Sequence, residues 1–166
     1  MKPDGPVEDD VNKGGDFLEL AIDLARTNIA KGGRPFGAVV VKDGNFVASG
    51  VNETYLSNDS TDHAEMAALR AASRVLQSPD LLRGSTVYAS GHPCPMCVAA
   101  MRLAGVERVV YAFSNEDGAP FGLSNAPLYA EMANPFTDLQ VAIEHRPAKH
   151  DPDTGIYAEW KRSQPR

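Results

Sequence analysis

The hydrophobic and polar positions in the first third of the chain follow two periodicities. From residue 16 to residue 31, apolar side chains recur at helical spacing, and the segment ends at a Gly-Gly pair. This pattern predicts an amphipathic helix with a glycine stop. Residues 36–42 and 45–51 are rich in β-branched and apolar side chains and flank Asp43-Gly44. Two such runs around this dipeptide predict a β-hairpin.

The rest of the chain alternates between helical and strand-like segments. The pattern predicts helices over residues 62–77, 95–104, 125–134 and 154–161, and strands over residues 85–90, 106–113 and 139–145. Strands separated by helices imply parallel crossovers, whereas a hairpin is antiparallel. We therefore expect an α/β fold, a three-layer α/β/α sandwich with a mixed five-stranded sheet.

Length and local composition predict a single folded domain. The chain has 166 residues and shows no internal repeat or linker-like tract, so one domain over residues 13–166 is expected. Residues 1–12 are rich in Pro, Gly and Asp and are predicted to form a flexible leader, not a signal peptide. No stretch approaches the ~20 consecutive apolar residues of a membrane span. We expect a cytoplasmic protein without a membrane partner.

The charge balance narrows the class of partner. The formal net charge is −6 and the isoelectric point is about 5.1. Proteins that hold duplex or folded RNA usually present a basic face, which supplies most of their non-specific affinity. The hydrophobic fraction of 43% is enough to build a core. The composition favours a globular protein with a small-molecule partner and argues against nucleic acid.

The two cysteines of the chain form a Cys-x-x-Cys motif. Cys94 and Cys97 lie at the start of a predicted helix, where positions i and i+3 share one face. Such a motif alone is half a metal site, a redox pair or a coincidence. His63, at the start of another predicted helix, adds a third donor. Three protein ligands leave one tetrahedral position for water, as in catalytic zinc sites, so we expect a bound Zn²⁺.

Glu65 follows His63 by two positions and completes the chemistry. It lies too close to His63 in sequence for a comfortable fourth ligand, but it can reach a water on the metal and transfer its proton. His-x-Glu followed by Pro-Cys-x-x-Cys is the described signature of zinc nucleobase deaminases. The alternative interpretation is structural, with a helix cap at His63 and cysteines that act as small buried hydrophobic residues.

These motifs resemble the cytidine deaminase superfamily, in the branch that contains guanine deaminases and tRNA adenosine deaminases. The resemblance runs from about Phe17 to Phe113 and includes residues 35–39, the Asp43-Gly44 turn and residues 58–63. It implies the three-layer fold, one zinc ion per subunit, and a homodimer or higher oligomer. It also implies the roles argued above for His63, Cys94, Cys97 and Glu65.

The resemblance further implies a set of substrate-binding residues. Asn52 matches the family asparagine that hydrogen-bonds the base, and the backbone N–H groups of Ala64 and Cys94 are expected to contact the ring. Phe36 lies in a Pro-Phe-Gly-Ala-Val segment that resembles bacterial guanine deaminases more than tRNA enzymes. Phe36 is equally consistent with a core position.

Two positions depart from the family pattern. The family usually has glutamate before Pro-Cys-x-x-Cys, where this chain has His92; a supporting role for the cysteine loop is favoured over a role at the site mouth. Bacterial guanine deaminases carry an acidic pair where residues 121–125 contain no carboxylate. This absence weakens the case for guanine, unless Asp117 or Glu131 replaces the pair.

The sequence therefore predicts zinc-dependent hydrolytic deamination of a nucleobase or related heterocycle, with guanine as the first substrate to test. Cytosine, guanosine, amino-triazines and pterins stay open as substrates, and so does adenosine in tRNA. A zinc-stabilised binding module without turnover is the alternative from another class. The predicted number of three protein ligands opposes this alternative, because structural zinc sites normally have four.

Overall fold

The computed structural model describes residues 16–78, 82–135, 138–147 and 155–164. The strands in this part of the chain are β1 Gly37–Lys42, β2 Asn45–Val51, β3 Thr86–Gly91 and β4 Arg108–Phe113. The helices are α1 Phe17–Ala30, α2 Thr54–Ser57, α3 Ala64–Leu76, α4 Pro95–Leu103, α5 Asn115–Gly118, α6 Ala126–Met132 and α7 Ile156–Ser163, with a 3₁₀ turn at Ala119–Phe121.

The four strands form one mixed sheet in the order β2-β1-β3-β4. Strand β1 pairs antiparallel with β2 across the predicted hairpin and antiparallel with β3. Strands β3 and β4 are parallel, because helix α4 returns the chain to the same end of the sheet. The predicted mixture of antiparallel and parallel pairing is confirmed.

The central strand β1 separates two layers of helix. Its side chains alternate, as in any strand, so Val39 and Val41 pack in a cluster with Ala21 of α1. Ala38 and Val40 face the other way, into a larger cluster formed with residues of α3 and α4. Both faces of β1 are buried, and the predicted α/β/α layering is confirmed.

The predicted fifth strand is not present at residues 139–145, which corrects the strand count in the described part of the chain from five to four. Residues 139–145 form no strand, and Val141 and Ile143 are 66% and 49% exposed. Alternating apolar and polar residues predict a strand. The strand forms only when a neighbouring strand supplies hydrogen-bond partners. In the described part of the sheet, β4 is an edge strand that pairs with β3 alone.

The chain divides into two compact units, residues 1–133 and 134–166. The first contains all four strands; the second contains α7, whose large apolar side chains Ile156, Tyr157 and Trp160 are exposed. The predicted leader at residues 1–12 lies outside the described residues, and the single-domain extent of 13–166 stays a prediction. None of the described helices combines the length and the apolar character that a membrane crossing requires.

Close contact between β2 and α3 sets the position of the candidate site. A Cβ atom built on Gly50 would lie 2.6 Å from the Ala64 carbonyl oxygen and 2.7 Å from the Ala67 Cβ. These separations are too short for a side chain, so glycine is required for the helix to pack this tightly. The contact places the start of α3 beside the residues that follow β2.

Candidate active site

Two helix starts bring together the three predicted metal ligands. His63 is the residue before α3 and Cys94 is the residue before α4, and both have extended backbone conformations. Cys97 lies in the first turn of α4, which begins with Pro95. Proline is favoured there because its missing N–H has no intrahelical partner to lose. Both helices therefore present their N-terminal ends to one point.

The geometry of the three donor atoms fits a tetrahedral zinc ion. The Cys94 and Cys97 sulfurs lie 3.5 Å apart, and they lie 3.5 Å and 3.6 Å from the Nδ1 atom of His63. Zn–S and Zn–N distances of about 2.3 Å and 2.0 Å predict S···S and S···N separations of about 3.8 Å and 3.6 Å. In the described part of the chain these three residues form a cluster suited to a metal ion.

The protonation of the donors also suits a cation. The hydrogen bond between the two thiols lowers the pKa of Cys94 to about 4 and raises the pKa of Cys97. The interaction with the Cys94 sulfur raises the pKa of His63. The lowered pKa favours a thiolate at Cys94, and a divalent ion would displace the thiol proton of Cys97.

Glu65 lies beside the donors without completing their tetrahedron. It is only 7% exposed, and its Oε2 atom lies 3.5 Å from the Cys97 sulfur. Burial raises the pKa of this carboxyl group, more than any other cause. A buried carboxyl group with a raised pKa is suited to accept and return a proton near neutral pH.

A cavity of about 40 Å³ lies beside the metal donor His63. The wall of the cavity contains apolar side chains together with a carboxylate, a guanidinium, amides and imidazoles. The described residues that line it are Arg34, Phe36, Asn52, His63, Glu65, His92, Leu123 and Asn125. The structure therefore brings together the predicted residues Phe36, Asn52, His63 and Glu65 at one concave surface. Pockets of this kind, with convergent polar groups beside titratable residues, are the usual location of an active site.

Asn52 has the burial and orientation of a residue that presents an amide to the cavity. Only 2% of it is exposed. Its Oδ1 atom accepts hydrogen bonds of 2.9 Å and 3.3 Å from the hydroxyl and N–H of Thr54. Its Nδ2 atom makes no hydrogen bond within the described residues, so the amide N–H groups stay available.

The two backbone positions predicted to contact substrate lie at helix starts. Ala64 is the first residue of α3 and Cys94 immediately precedes α4. Their N–H groups precede the first intrahelical hydrogen bonds. Both residues are almost fully buried.

Phe36 lines the cavity and also packs against the core cluster on the α3 side of the sheet, so both interpretations of Phe36 describe part of its environment.

His92 belongs both to the cysteine loop and to the cavity wall. Its ring packs edge-on against Tyr111 and Tyr129, with centroids 4.7 Å and 5.3 Å away. The Asn125 amide donates to the His92 carbonyl oxygen, and the Tyr129 hydroxyl donates to the Pro93 carbonyl oxygen over 2.7 Å. These contacts hold the chain immediately before Cys94.

The two carboxylates considered as replacements for the missing acidic pair do not line the cavity. Asp117 instead accepts from the Ser114 N–H in a capping box at the start of α5. Sequence reasoning missed Arg34, Leu123 and Asn125 as cavity residues. The signals available were the position of Arg34 next to the Pro-Phe segment and the polar end of the stretch at residues 121–125.

The fold and the site define a class of protein: a three-layer α/β enzyme with a three-donor metal centre at the start of two helices. The metal centre faces a cavity with one buried carboxyl group, as in catalytic zinc sites. The particular family follows from sequence comparison. The chain belongs to the family described as the cytidine and deoxycytidylate deaminase zinc-binding region, which matches residues 12–113. The protein is therefore a zinc-type hydrolytic deaminase that acts on C–N bonds.

Individual relatives come from two branches of this family. Guanine deaminase of Bacillus subtilis is 42% identical over 126 residues, which cover 75% of this chain and 80% of the relative. A crystal structure of guanine deaminase from Bacillus subtilis superposes with a TM-score of 0.79 at 34% identity, covering 90% of this chain and 94% of the other. A tRNA-specific adenosine deaminase of Agrobacterium fabrum is 38% identical over 102 residues, 61% of this chain and 66% of the relative.

Proposed function

We propose that this protein hydrolyses the exocyclic amino group of a free nucleobase, and that guanine is its substrate. The observation that carries the proposal is the cavity lined by Phe36, Asn52, Glu65 and the metal donor His63. The similarity to a guanine deaminase over three quarters of this chain supports the choice of base. The balanced reaction converts guanine and water to xanthine and ammonia.

In the proposed mechanism, His63, Cys94 and Cys97 hold zinc and Glu65 transfers the protons. The bound ion supplies Lewis acidity, which makes hydroxide available from water near neutral pH. Glu65 accepts the proton of that water and delivers it to a ring nitrogen of the base. The water oxygen bonds to C2 of the base, Glu65 takes the second proton from that oxygen and gives it to the amino group, and the C2–N bond breaks to release ammonia. Its raised pKa suits a group that is both base and acid.

Asn52, Ala64 and Cys94 orient the ring in this proposal. The Asn52 amide donates to an acceptor atom of the base, and the backbone N–H groups of Ala64 and Cys94 donate to the side that approaches the metal. Donors placed before the reaction reduce the cost of reorganisation when negative charge develops. Phe36 packs against the face of the ring and excludes water from it.

Adenosine in tRNA is the second candidate, because a tRNA-specific relative is 38% identical to this chain. The net charge of −6 opposes this activity, since binding to RNA depends strongly on cationic contacts with phosphate. Phe36 also differs from the valine that is typical of the tRNA enzymes. Guanine is therefore preferred.

The proposal extends to assembly and compartment. We propose a homodimer, because the described β4 edge and helix α4 expose large apolar side chains that an interface would cover: Val98, Leu103, Val109, Tyr111 and Phe113. We also propose a cytoplasmic location. Cys94 and Cys97 lie close enough to oxidise, and the reducing cytoplasm keeps such pairs as thiols for zinc.

Ammonia release by the zinc-loaded protein tests the substrate directly. The panel is guanine, guanosine, adenine, cytosine, cytidine, amino-triazines, pterins and an adenosine-containing tRNA stem-loop. We expect turnover of guanine and loss of that turnover in Glu65→Ala. Turnover of the stem-loop alone would replace the guanine proposal with RNA editing. Absence of turnover across the panel with zinc bound would contradict both.

A further inference from the structure

Arg34 is a cationic group in the wall of the cavity to which the mechanism above assigns no role. It lines the cavity together with Glu65 and Asn52 and is half-buried. Its guanidinium carbon lies 5.8 Å from the ring centroid of Phe36 and 5.9 Å from that of Tyr55. Within the described residues no carboxylate forms an ion pair with Arg34. Two aromatic rings therefore support a guanidinium whose N–H donors are not used by acidic side chains.

A buried asparagine holds the backbone of Arg34 next to that of Asn52. Asn28, at 1% exposed, donates through its Nδ2 atom to the Arg34 carbonyl oxygen over 2.8 Å and to the Asn52 carbonyl oxygen over 2.7 Å. A Cβ atom on Gly33 would lie 2.5 Å from the Asn28 Cγ, so the loop passes directly over this side chain. One amide thus connects two residues that face the cavity.

The charge of the cavity wall indicates which edge of a base it recognises. Among the residues that the structure describes, Glu65 is the single carboxylate that lines the cavity, and the proposed mechanism uses it for proton transfer. A second carboxylate would read the donor groups of guanine, its N–H and amino groups. A guanidinium reads acceptors instead, and bidentate contact with O6 and N7 of guanine is its commonest specific base contact.

The edge with O6 and N7 distinguishes guanine from 2-aminopurines that lack the 6-oxo group. In 2,6-diaminopurine an amino group replaces O6, so a donor would face the donors of Arg34. In 2-aminopurine a hydrogen replaces O6 and only N7 accepts. All three bases retain the same amino group at C2. The change in discrimination when Arg34 is replaced therefore reports recognition of this edge, because the intrinsic reactivity of each base cancels in the comparison.

We propose that Arg34 is a substrate-binding, specificity-determining residue that hydrogen-bonds the O6 and N7 edge of a 6-oxopurine, with Asn28 as its positioning residue. The choice of purine rests on the proposed guanine deamination. Recognition by Arg34 replaces the recognition by an acidic pair, which residues 121–125 do not provide. It favours 6-oxopurines and disfavours bases with an amino group at C6.

The first test compares Arg34→Met and Arg34→Lys with the unsubstituted protein on guanine and on 2-aminopurine. We expect Arg34→Met to lower kcat/KM for guanine by roughly 10- to 100-fold, mainly through KM. For 2-aminopurine the change is expected to stay within about threefold, because little of the contact exists to be lost. Arg34→Lys retains the positive charge but loses the paired N–H donors of the guanidinium. Its kcat/KM for guanine should therefore lie between the values of the unsubstituted protein and Arg34→Met.

Controls separate recognition from folding. Arg74→Met removes an exposed arginine from α3 and should leave kcat/KM for guanine and for 2-aminopurine unchanged. Zinc content and melting temperature should be unchanged in the Arg34 variants. Asn28→Asp places a carboxylate against two carbonyl oxygens, and it should reduce the preference for guanine over 2-aminopurine as Arg34→Met does. Equal losses on both purines in Arg34→Met would assign Arg34 a merely structural role and overturn the proposal.

A binding measurement distinguishes this proposal from the proposed function. In Glu65→Gln protein, equilibrium dialysis measures the Kd of guanine, 2-aminopurine and 2,6-diaminopurine without turnover. We expect guanine to bind tightest, and Arg34→Met in this background to remove its advantage. If guanine is not deaminated but this preference exists, the proposed function fails and the role of Arg34 stands. Equal binding of the three purines contradicts the role of Arg34 regardless of activity.

Discussion

At the scale of single residues, the proposed mechanism assigns metal binding to three donors and proton transfer to one carboxyl group. His63, Cys94 and Cys97 lie at separations that fit tetrahedral zinc. Glu65 is buried beside them but follows His63 by only two positions, which places it next to the metal position without requiring it as a ligand. Two different chemical roles therefore arise from one short helix start, and substitutions should separate them.

Replacement of Glu65 should abolish turnover while zinc is retained. In Glu65→Ala we expect kcat to fall by about 10²- to 10⁴-fold, because proton transfer then depends on water. Zinc content, measured by inductively coupled plasma mass spectrometry, should stay at one ion per chain. Glu131→Ala, at a carboxylate that does not line the cavity, serves as the control. Loss of zinc from Glu65→Ala would make Glu65 a ligand and refute the assignment.

Replacement of Cys97 should instead remove the metal. Cys97 is fully buried in the core cluster, and Cys97→Ala deletes one of three protein donors. We expect loss of stoichiometric zinc and a lower melting temperature, because the free energy of metal binding contributes to folding. The measurement is zinc content together with thermal unfolding, before and after addition of a chelator. A variant that keeps one zinc ion per chain would exclude Cys97 as a ligand.

At the scale of elements, packing of helices against the sheet assembles the site. Helix α3 contacts β2 closely enough to exclude a side chain at Gly50, and this contact fixes where His63 and Glu65 begin. The loop before α4 is held from α6 by hydrogen bonds to the carbonyl oxygens of His92 and Pro93. The cavity therefore depends on contacts between elements that are distant in sequence.

A methyl group at Gly50 should separate β2 from α3. Gly50→Ala is expected to lower the free energy of unfolding by about 1–3 kcal/mol, since overpacked positions force the backbone to shift. Activity should fall as well, because the start of α3 moves with the helix. Denaturant unfolding measures the change, with Ser49→Ala on the same strand as the control. An unchanged midpoint for Gly50→Ala would show that the helix adjusts without cost.

At the scale of the whole molecule, the exposed apolar side chains indicate that one chain does not cover all of its hydrophobic surface. Leu103 on α4 is 89% exposed, and the β4 edge adds further large apolar groups. Such surface is typical of a protein interface. The acidic net charge opposes association with RNA phosphate, whereas the apolar side chains suit an interface with another copy of this chain.

Sedimentation velocity should show a particle of twice the 17.8 kDa chain mass. Leu103→Asp is expected to shift the population toward the single chain, because a charge buried at an apolar interface without a partner is costly. Val75→Asp, at an exposed position on α3, is the matched control and should leave the mass unchanged. A single-chain mass for the unsubstituted protein at micromolar concentration would contradict the proposed homodimer.

Much of the fold and most of the site were predictable because their signals are local. The hairpin follows from Asp43-Gly44 between two apolar runs, and the metal donors follow from two short motifs whose spacing already determines their chemistry. The prediction of a fifth strand at residues 139–145 was wrong because strand formation requires a hydrogen-bonding neighbour, and a periodic pattern does not specify one. Arg34 was missed because one arginine in a loop carries no periodicity or spacing that distinguishes it from a solvated charge.

The sequence by itself determined the chemistry: a His-x-Glu and a Pro-Cys-x-x-Cys, each at the start of a helix, specify three zinc donors and one carboxyl group. Only the tertiary structure decided which groups line the cavity beside them. Asn28 contacts Asn52 across 24 positions of sequence and Arg34 across 6, and the Asn125 amide contacts His92 across 33. Such contacts arise from the packing of α1 against the sheet and of α6 against α4 and the loop before it. Covalent spacing fixes donors within one turn of helix, whereas burial and shape between distant segments fix specificity.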